Sequence, residues 1–132
     1  MIDFSNEIFN AVATDLRLAY PGVRVVGEYV ATPTVFPTVT IDETQNWPVH
    51  QDSAVHNKYA RVQYRVQVFC NFENGKRSQA RKIYGLVDNK MQELGLYAIA
   101  YTTTPEIYNS EIYSITATYI GVIDRNGVIY RG

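Results

Sequence analysis

Residues 59–72 of the chain read YARVQYRVQVFCNF. Alternate positions of this stretch are apolar, and they are Ala60, Val62, Tyr64, Val66, Val68, Cys70 and Phe72. The positions between them are mostly polar, and they are Tyr59, Arg61, Gln63, Arg65, Gln67, Phe69 and Asn71. Successive side chains of a strand point to opposite sides of the sheet, so this alternation is typical of a half-buried strand. The stretch therefore predicts a long strand with one buried and one largely solvated face.

A helix is predicted directly after this strand. Asn74-Gly75 is a turn signal that ends the strand, and residues 76–94 then have apolar positions at helical spacing. Those positions are Ala80, Ile83, Tyr84, Val87, Met91 and Leu94. Gly95 readily adopts the left-handed conformation in which helices commonly end. We expect a helix from about Lys76 to Leu94.

The amino-terminal part predicts another helix and a first pair of strands. Residues 4–20 have apolar side chains at steps of three and four, and Pro21-Gly22 ends that helix. Residues 23–30 and 34–44 are rich in β-branched and aromatic residues, which favours strands. Pro37 lacks a backbone N–H, so we expect it at a sheet edge or at a bulge.

The carboxyl-terminal part predicts three strands. Residues 96–103 and 111–123 have strand composition and are joined by the polar loop 104–110, and Asn126-Gly127 is a hairpin turn pair. The order of helix, two strands, long strand, helix and three strands contains no repeated βαβ unit. We therefore predict a single α+β domain over residues 1–132, with one mixed, mostly antiparallel sheet and two helices packed on one face.

Composition excludes several classes of protein. The 132 residues are 46% hydrophobic and 19% charged, which is typical of one soluble globular domain. The net charge of −1 provides too little positive charge for tight non-specific binding to DNA or anionic lipid. A single cysteine excludes an internal disulfide, and no apolar run reaches the ~18 residues that a membrane span needs. We expect an unprocessed cytosolic protein without a membrane-spanning segment.

Three features point to a protein interface. The chain contains eleven Tyr, a residue type that is enriched where proteins bind each other. Trp47 lies in the aperiodic stretch 45–58, which predicts a long loop or a frayed hairpin tip, and a loop of this length is usually functional or mobile. This Trp either folds back over its own sheet or anchors a partner. Arg61 and Arg65 share the polar face of the long strand, which contacts water, lines an aqueous channel or meets another protein.

No catalytic, cofactor or metal site emerges from the sequence. Cys70 with His50 and His56 could form a metal site or a nucleophile and base. Cys70 is, however, in phase with the apolar side of its strand, and the two His lie in a loop without a fourth ligand. We interpret Cys70 as a core cysteine. The carboxylates have no spacing that pairs an acid with a base on one element, so we expect no enzyme activity and no cofactor.

The start of the second helix is basic. Its cationic residues are Lys76, Arg77, Arg81 and Lys82. Residues 75–78, GKRS, match a phosphate-binding loop only in part, because Cys70 occupies the position of the first glycine of such a loop. The pattern favours a solvated helix face, although an acidic neighbouring subunit could use the same charges.

Six segments spread over nearly the whole chain form a further pattern. They are 20–22 (YPG), 36–41 (FPTVTI), 64–69 (YRVQVF), 91–95 (MQELG), 119–124 (YIGVID) and 129–131 (IYR). Together they resemble the tail terminator, or tail completion, proteins of long-tailed bacteriophages. The resemblance implies a sheet flanked by helices. It also implies a six-fold ring that caps the head-proximal end of the tail tube, stops tube growth and offers the surface that joins the filled head.

The resemblance also implies partners and a location. The partners are other copies of the chain in a hexameric ring, the tail tube protein, and a head–tail connector or head-completion protein. Genome DNA would pass through the ring without sequence-specific binding, and the near-neutral chain suits this because a strongly basic lumen would retain phosphates. The implied location is the tail or neck of the virion, after assembly in the host cytoplasm.

Closed rings use two different patches of each subunit, so we expect interface residues on the sheet edges and in the long loop. The expected residues are Trp47, His50, His56, Arg61, Arg65, Tyr97, Tyr101 and Tyr108. The loop from Trp47 to His56 is expected to reach a neighbouring ring, and the three Tyr to contribute to subunit or tube contacts.

Two other functions stay open at this point. One is a head-completion or connector protein of the phage neck, which would bind the portal side. The other is a small enzyme that uses His50 or His56 with a carboxylate, although no acid–base arrangement of the kind that catalysis uses is evident.

Overall fold

The sheet is the centre of the molecule. A computed structural model describes residues 3–28, 35–48, 59–71, 76–105, 112–124 and 126–130. The elements are α1 (Ser5–Ala19), β1 (Arg24–Val26), β2 (Thr38–Pro48), β3 (Tyr59–Cys70), α2 (Lys76–Leu94), β4 (Tyr97–Pro105), β5 (Tyr113–Asp124) and β6 (Ile129–Tyr130). The strand order is β1-β2-β3-β5-β4, with β6 also paired to β5. Of these strand pairs, β1 with β2 is parallel and the others are antiparallel, which confirms the predicted mixed, mostly antiparallel sheet.

Both helices lie on one face of the sheet, as predicted. Helix α1 contacts β2 and α2, and α2 contacts β3 and β5. Lys90 of α2 connects the helices, because its Nζ lies 3.5 Å from Asp15 Oδ2 of α1 and 3.5 Å from Glu93 Oε2. Among the described residues, no helix is both long enough and apolar enough to cross a membrane.

The core fills the space between the helices and the sheet. Helix α1 contributes Ile8, Val12, Ala13 and Leu16, and α2 contributes Ala80, Ile83, Val87 and Met91. Strand β3 contributes Ala60, Val62, Tyr64, Val66, Val68 and Cys70. These are the apolar stripes that the sequence periodicity indicates, and their removal from water is the main favourable contribution to folding. Cys70 is a buried free cysteine, which confirms its interpretation as a core residue.

Helix α2 has the predicted boundaries and ends in the expected way. Gly95 adopts a φ of 99°, and its N–H donates to the carbonyl of Gln92 at 3.0 Å. The N–H of Leu96 donates to the carbonyl of Met91 at 2.9 Å. These two bonds form a Schellman motif, in which a left-handed residue satisfies the last carbonyls of the helix.

The predicted hairpin at Asn126-Gly127 is present, and Asp124 stabilises it. Gly127 has a φ of 84°, and its N–H donates to the Asp124 carbonyl at 3.1 Å. The Asp124 carboxylate accepts from the backbone N–H groups of Asn126 at 2.8 Å and Val128 at 3.0 Å. The turn is therefore formed by a side-chain cap as well as by the glycine.

Three predicted boundaries in the amino-terminal half are wrong. Strand β2 begins at Thr38 and not at residue 34, because residues 35–37 form a bend. Strand β1 is only three residues long, because the chain bends at Gly27 and Glu28. Strand β2 continues to Pro48, so Gln45–Pro48 belong to the sheet and not to a loop. A bulge between Glu43 and Gln45 interrupts the alternation of the strand, and that interruption hides its second half from a period-two pattern. Pro37 lies immediately before β2, and its carbonyl accepts from the Arg24 N–H at 2.9 Å.

Candidate protein interface

The face of the sheet opposite the helices brings together four of the predicted interface residues. We call this surface the open face, because α1 and α2 both pack on the other side. The strand register places Trp47 of β2 beside Arg61 of β3, and Arg61 beside Val122 of β5. Directly opposite residues in neighbouring strands point to the same side of a sheet, so these three side chains form one row across the open face.

A second row lies two residues further along the strands. Gln63 of β3 is opposite Ile120 of β5, and Ile120 is opposite Tyr97 of β4. Val122, Ile120 and Tyr97 are half-buried, and Trp47 is 38% exposed. The two rows thus present aromatic and aliphatic side chains around the polar Arg61 and Gln63, a composition typical of protein interfaces.

Arg65 lies at the border of this surface and forms an ion pair there. Its Nη2 lies 3.0 Å from Oδ2 of Asp42, which is its register partner on β2. The side chains are 34% and 17% exposed, so solvent screens the pair only in part. Arg61 and Arg65 therefore differ, because Arg65 is oriented by a carboxylate of its own subunit.

Beyond Arg65 the open face is not solvated, which corrects the prediction of a largely wet side. Gln67 is 7% exposed and Phe69 is 2% exposed. The Gln67 carboxamide oxygen accepts from the buried Thr40 hydroxyl at 2.9 Å. Polar groups can be buried at low cost when they are paired in this way, so the alternation of polar residues does not by itself indicate contact with water.

Trp47 lies on strand β2, near its end, so the loop alternative is wrong for this residue and the hairpin alternative is the one that its antiparallel pairing with β3 favours. The bulge between Glu43 and Gln45 shifts the register so that Trp47 pairs with Arg61. The sheet ladder therefore fixes the backbone of Trp47 and the face of the sheet on which its indole lies.

Tyr97 and Tyr101 point to opposite faces of β4. Tyr101 is opposite Ala117, whose side chain faces the helices, and its ring centre lies 5.1 Å from that of Tyr84 on α2. A bulge between Ala98 and Ala100 separates the two Tyr. Tyr101 lies on the helix side of the sheet, so it does not belong to the open face. It is nevertheless 48% exposed, on a different surface. His50, His56 and Tyr108 lie outside the described residues.

Sequence reasoning missed Ile120, Val122 and Ile99. Strand β5 is apolar on both faces near its end, and this departure from simple alternation is the signal that could have indicated the first two. Ile99 is the extra residue of the β4 bulge and is 54% exposed. A bulge position is not evident from a propensity pattern, so Ile99 had no comparable signal.

On the face of the sheet that carries the helices, a chain of hydrogen bonds connects α2 to β5. The Tyr84 and Tyr119 hydroxyls are 2.6 Å apart, and the Tyr119 hydroxyl donates to Asp88 Oδ1 at 2.6 Å. Asp88 Oδ2 accepts from the Gln92 amide at 2.7 Å. Burial and then the hydrogen bond to Asp88 raise the pKa of Tyr119 far above its usual value. Asp88 is thereby engaged in the packing of the helix on the sheet.

Two other reactive groups of the core are kept neutral. The Tyr64 hydroxyl donates to Glu43 Oε2 at 2.7 Å, and burial together with this bond raises the pKa of Tyr64. Burial raises the pKa of the Cys70 thiol to about 12. A thiol of high pKa is a poor nucleophile at neutral pH.

These raised pKa values predict a loss of stability at alkaline pH. Tyr and Cys have ordinary pKa values of 10.0 and 9.0, which their folded values exceed. The neutral forms are therefore favoured by folding. Their contribution is complete below pH 9, begins to fall once pH exceeds the ordinary values, and is lost entirely as pH rises through the folded values. We expect the urea midpoint to fall between about pH 9 and 11.

Variants test the origin of this fall. Tyr64→Phe and Tyr119→Phe should each flatten the pH dependence, and Tyr119→Phe should also cost about 1–3 kcal/mol at pH 7 because Asp88 loses a buried donor. Leu18→Ala, which removes no titratable group, should keep the full dependence. An unchanged slope in both Phe variants would contradict the assignment.

Comparisons with known proteins do not extend this description. No family model matches the chain, and no curated protein matches it significantly. Within the described residues, no group of three or more His, Cys, Asp or Glu is placed to bind a metal ion. What the geometry offers is a surface, formed by the first two rows of the open face.

Proposed function

We propose that this chain is a non-enzymatic virion assembly protein, a tail terminator that forms a ring on the head-proximal end of a phage tail tube. The observation that supports this most directly is the arrangement of the open face. A sheet whose helices all pack on one side presents Trp47, Arg61 and Tyr97 together on the other. The six segments that resemble the terminator family belong to a chain of the fold class that the family implies.

The mechanism is steric. A ring binds the last ring of tube subunits through one surface and presents a different surface outward, so no further tube subunit can add. Such a cap needs rigid, partly apolar contacts and no bond-making chemistry. The engagement of Asp88, Tyr119 and Tyr64 in packing, and the neutral state of the Cys70 thiol, are compatible with that role.

The ring itself needs two different patches on each subunit, because head-to-tail contacts close a rotational assembly. The sheet offers them in principle, since β1 and β4 lie at opposite ends of its strand order. The net charge of −1 suits a ring through which DNA slides, because few phosphate contacts would retain the duplex.

Gene disruption in the phage that encodes the chain tests this function. Loss of a terminator should leave headless tails of abnormal length, visible by electron microscopy. Tails of normal length beside heads that leak DNA would instead indicate a neck connector, and normal infectious particles would contradict both functions.

Complementation then tests the open face. Wild-type protein supplied in trans should restore infectivity. The double variant Trp47→Ala with Tyr97→Ala should fold but yield at least about tenfold fewer infectious particles, because interface aromatics contribute strongly to binding. Leu18→Ala is the matched control, because Leu18 is 78% exposed but lies on α1 and outside the open face. Full complementation by the double variant would remove the open face from the proposed function.

A further inference from the structure

The first turns of α2 form a basic surface, and no ion pair among the described residues neutralises it. Residues 76–82, KRSQARK, include four cationic and no acidic residues. A cleft of about 350 Å³ is lined by Arg77, Ser78, Arg81 and Lys82, and we call it the basic cleft. All four of these side chains are exposed.

Within the described part of the chain, no carboxylate forms an ion pair with the three cations of the basic cleft. The guanidinium of Arg77 lies 5.7 Å from the centre of the Tyr113 ring, which orients it without cancelling its charge. The acidic residues of α2 are engaged elsewhere, Asp88 with Tyr119 and Glu93 with Lys90.

This arrangement is locally unfavourable. Arg77 and Arg81 are four residues apart on one helix face, where like charges repel. Cations near the start of a helix also face the positive end of its dipole. A local conflict of this kind in a folded protein often marks a functional surface, and the simplest resolution is an anionic partner.

The same chain has an acidic surface of similar size. A groove of about 430 Å³ lies where α1 begins, at the part of β2 beyond its pairing with β1. Its lining includes Glu28, Asp42 and Glu43, and we call it the acidic groove. Of these three, Asp42 is paired with Arg65, and Glu28 is exposed.

Two further carboxylates act electrostatically on the lining of the acidic groove. The groove lining includes Tyr64, whose pKa is raised by burial, then by the hydrogen bond and charge of Glu43, and then by the charges of Asp3 and Glu7. Asp3 and Glu7 are exposed. Several carboxylates thus give the acidic groove a negative charge. The ion pair described in this region is the one between Arg65 and Asp42.

The two surfaces belong to different sides of the helical layer. Helix α1, at the acidic groove, contacts β2, whereas α2, which forms the basic cleft, contacts β3, β5 and β4. Two patches of opposite sign at different places on one subunit are what a head-to-tail contact between identical chains requires. A net charge of −1 adds almost no overall repulsion between copies.

We infer that the basic cleft of one subunit binds the acidic groove of a second copy of this chain, and that this charge-complementary contact joins neighbours in the ring. The inference rests on the proposed function, because it takes the ring as the assembled state. It adds to that function the two surfaces that meet and the chemistry by which they recognise each other.

Charge reversal of the full-length protein tests the contact. The cleft variant is Arg81→Glu with Lys82→Glu, and the groove variant is Glu7→Lys with Glu28→Lys; all four residues are exposed. Urea unfolding checks that each variant is folded. In sedimentation velocity at low salt, each variant alone should assemble about tenfold more weakly than wild type, because like charges now meet.

Mixing the two variants is the decisive measurement. The cleft variant presents two negative surfaces and the groove variant two positive ones, so each can bind the other on both sides. An equimolar mixture should therefore regain the wild-type assembly with the variants alternating, and about 0.5 M salt should dissociate it. Arg17→Glu with Arg24→Glu changes the net charge as much as the cleft variant does, and should assemble like wild type.

Three outcomes would contradict the inference or its basis. If wild type forms rings but the equimolar mixture of variants does not reassemble, the subunit contact lies elsewhere and the proposed ring still stands. A cleft variant that assembles normally but loses binding to a short DNA duplex would assign the basic cleft to phosphates. Wild-type protein that stays monomeric at all concentrations would overturn the proposed ring itself.

Discussion

Replacing Leu16 by Ala is expected to lower the free energy of unfolding by about 2–5 kcal/mol. Leu16 is fully buried in the core between α1 and the sheet. The substitution removes three buried carbon atoms and leaves a cavity that close-packed neighbours fill only in part. Guanidinium unfolding followed by circular dichroism would show the midpoint at a lower concentration with little change of slope.

Leu18 offers a control on the same helix. It is two residues away and 78% exposed, so Leu18→Ala makes the same chemical change without emptying the core. Its effect should lie within about 0.5 kcal/mol. Equal losses in both variants would contradict the assigned role of Leu16 burial, because Ala has at least the helix propensity of Leu and no loss is expected from that source.

Replacing Gly95 by Ala is expected to destabilise the protein by about 1–3 kcal/mol. Gly95 has a φ of 99°, a region that residues with a Cβ rarely adopt. A Cβ at this position would also lie 2.9 Å from the backbone carbonyl oxygen of Ile129, which a side-chain rotation cannot relieve. The same unfolding experiment measures the loss.

The opposite sign is expected for Gly85→Ala. Gly85 lies inside α2, and a Cβ there would meet no atom within 4 Å outside the local helix backbone. Ala restricts the unfolded chain and favours the helix, so a gain of about 0.5–1 kcal/mol should follow. Stabilisation by both substitutions would mean that α2 does not end in a left-handed residue.

The elements predicted best are those whose signals lie close together in the chain. Helix α2 has the predicted bounds because its apolar stripe is continuous and Gly95 follows directly. Strand β3 was predicted to within two residues because its alternation is unbroken. The end of strand β2 was not, since a bulge at residue 44 interrupts the pattern on which the prediction depends.

The candidate interface was predicted as residue types and not as a surface. Tyr97 and Tyr101 are four apart, so a regular strand would place both on one face, and the bulge between Ala98 and Ala100 separates them. The row of Trp47, Arg61 and Val122 joins three strands that are distant in sequence. Neither the bulges nor the register can be derived from periodicity, because both depend on which strands pair.

What the amino-acid order alone determined is the fold class, the two amphipathic helices, the inward side of the long strand and the buried state of Cys70. These properties follow from the local spacing of apolar side chains. That spacing determines which side of an element is buried, whichever element packs against it. The tertiary structure alone decided that Trp47 and Tyr97 share a face, that Phe69 is buried, and that Asp88 is engaged with Tyr119. Those outcomes depend on strand register and on long-range packing, where a shift of one residue turns every side chain to the other side.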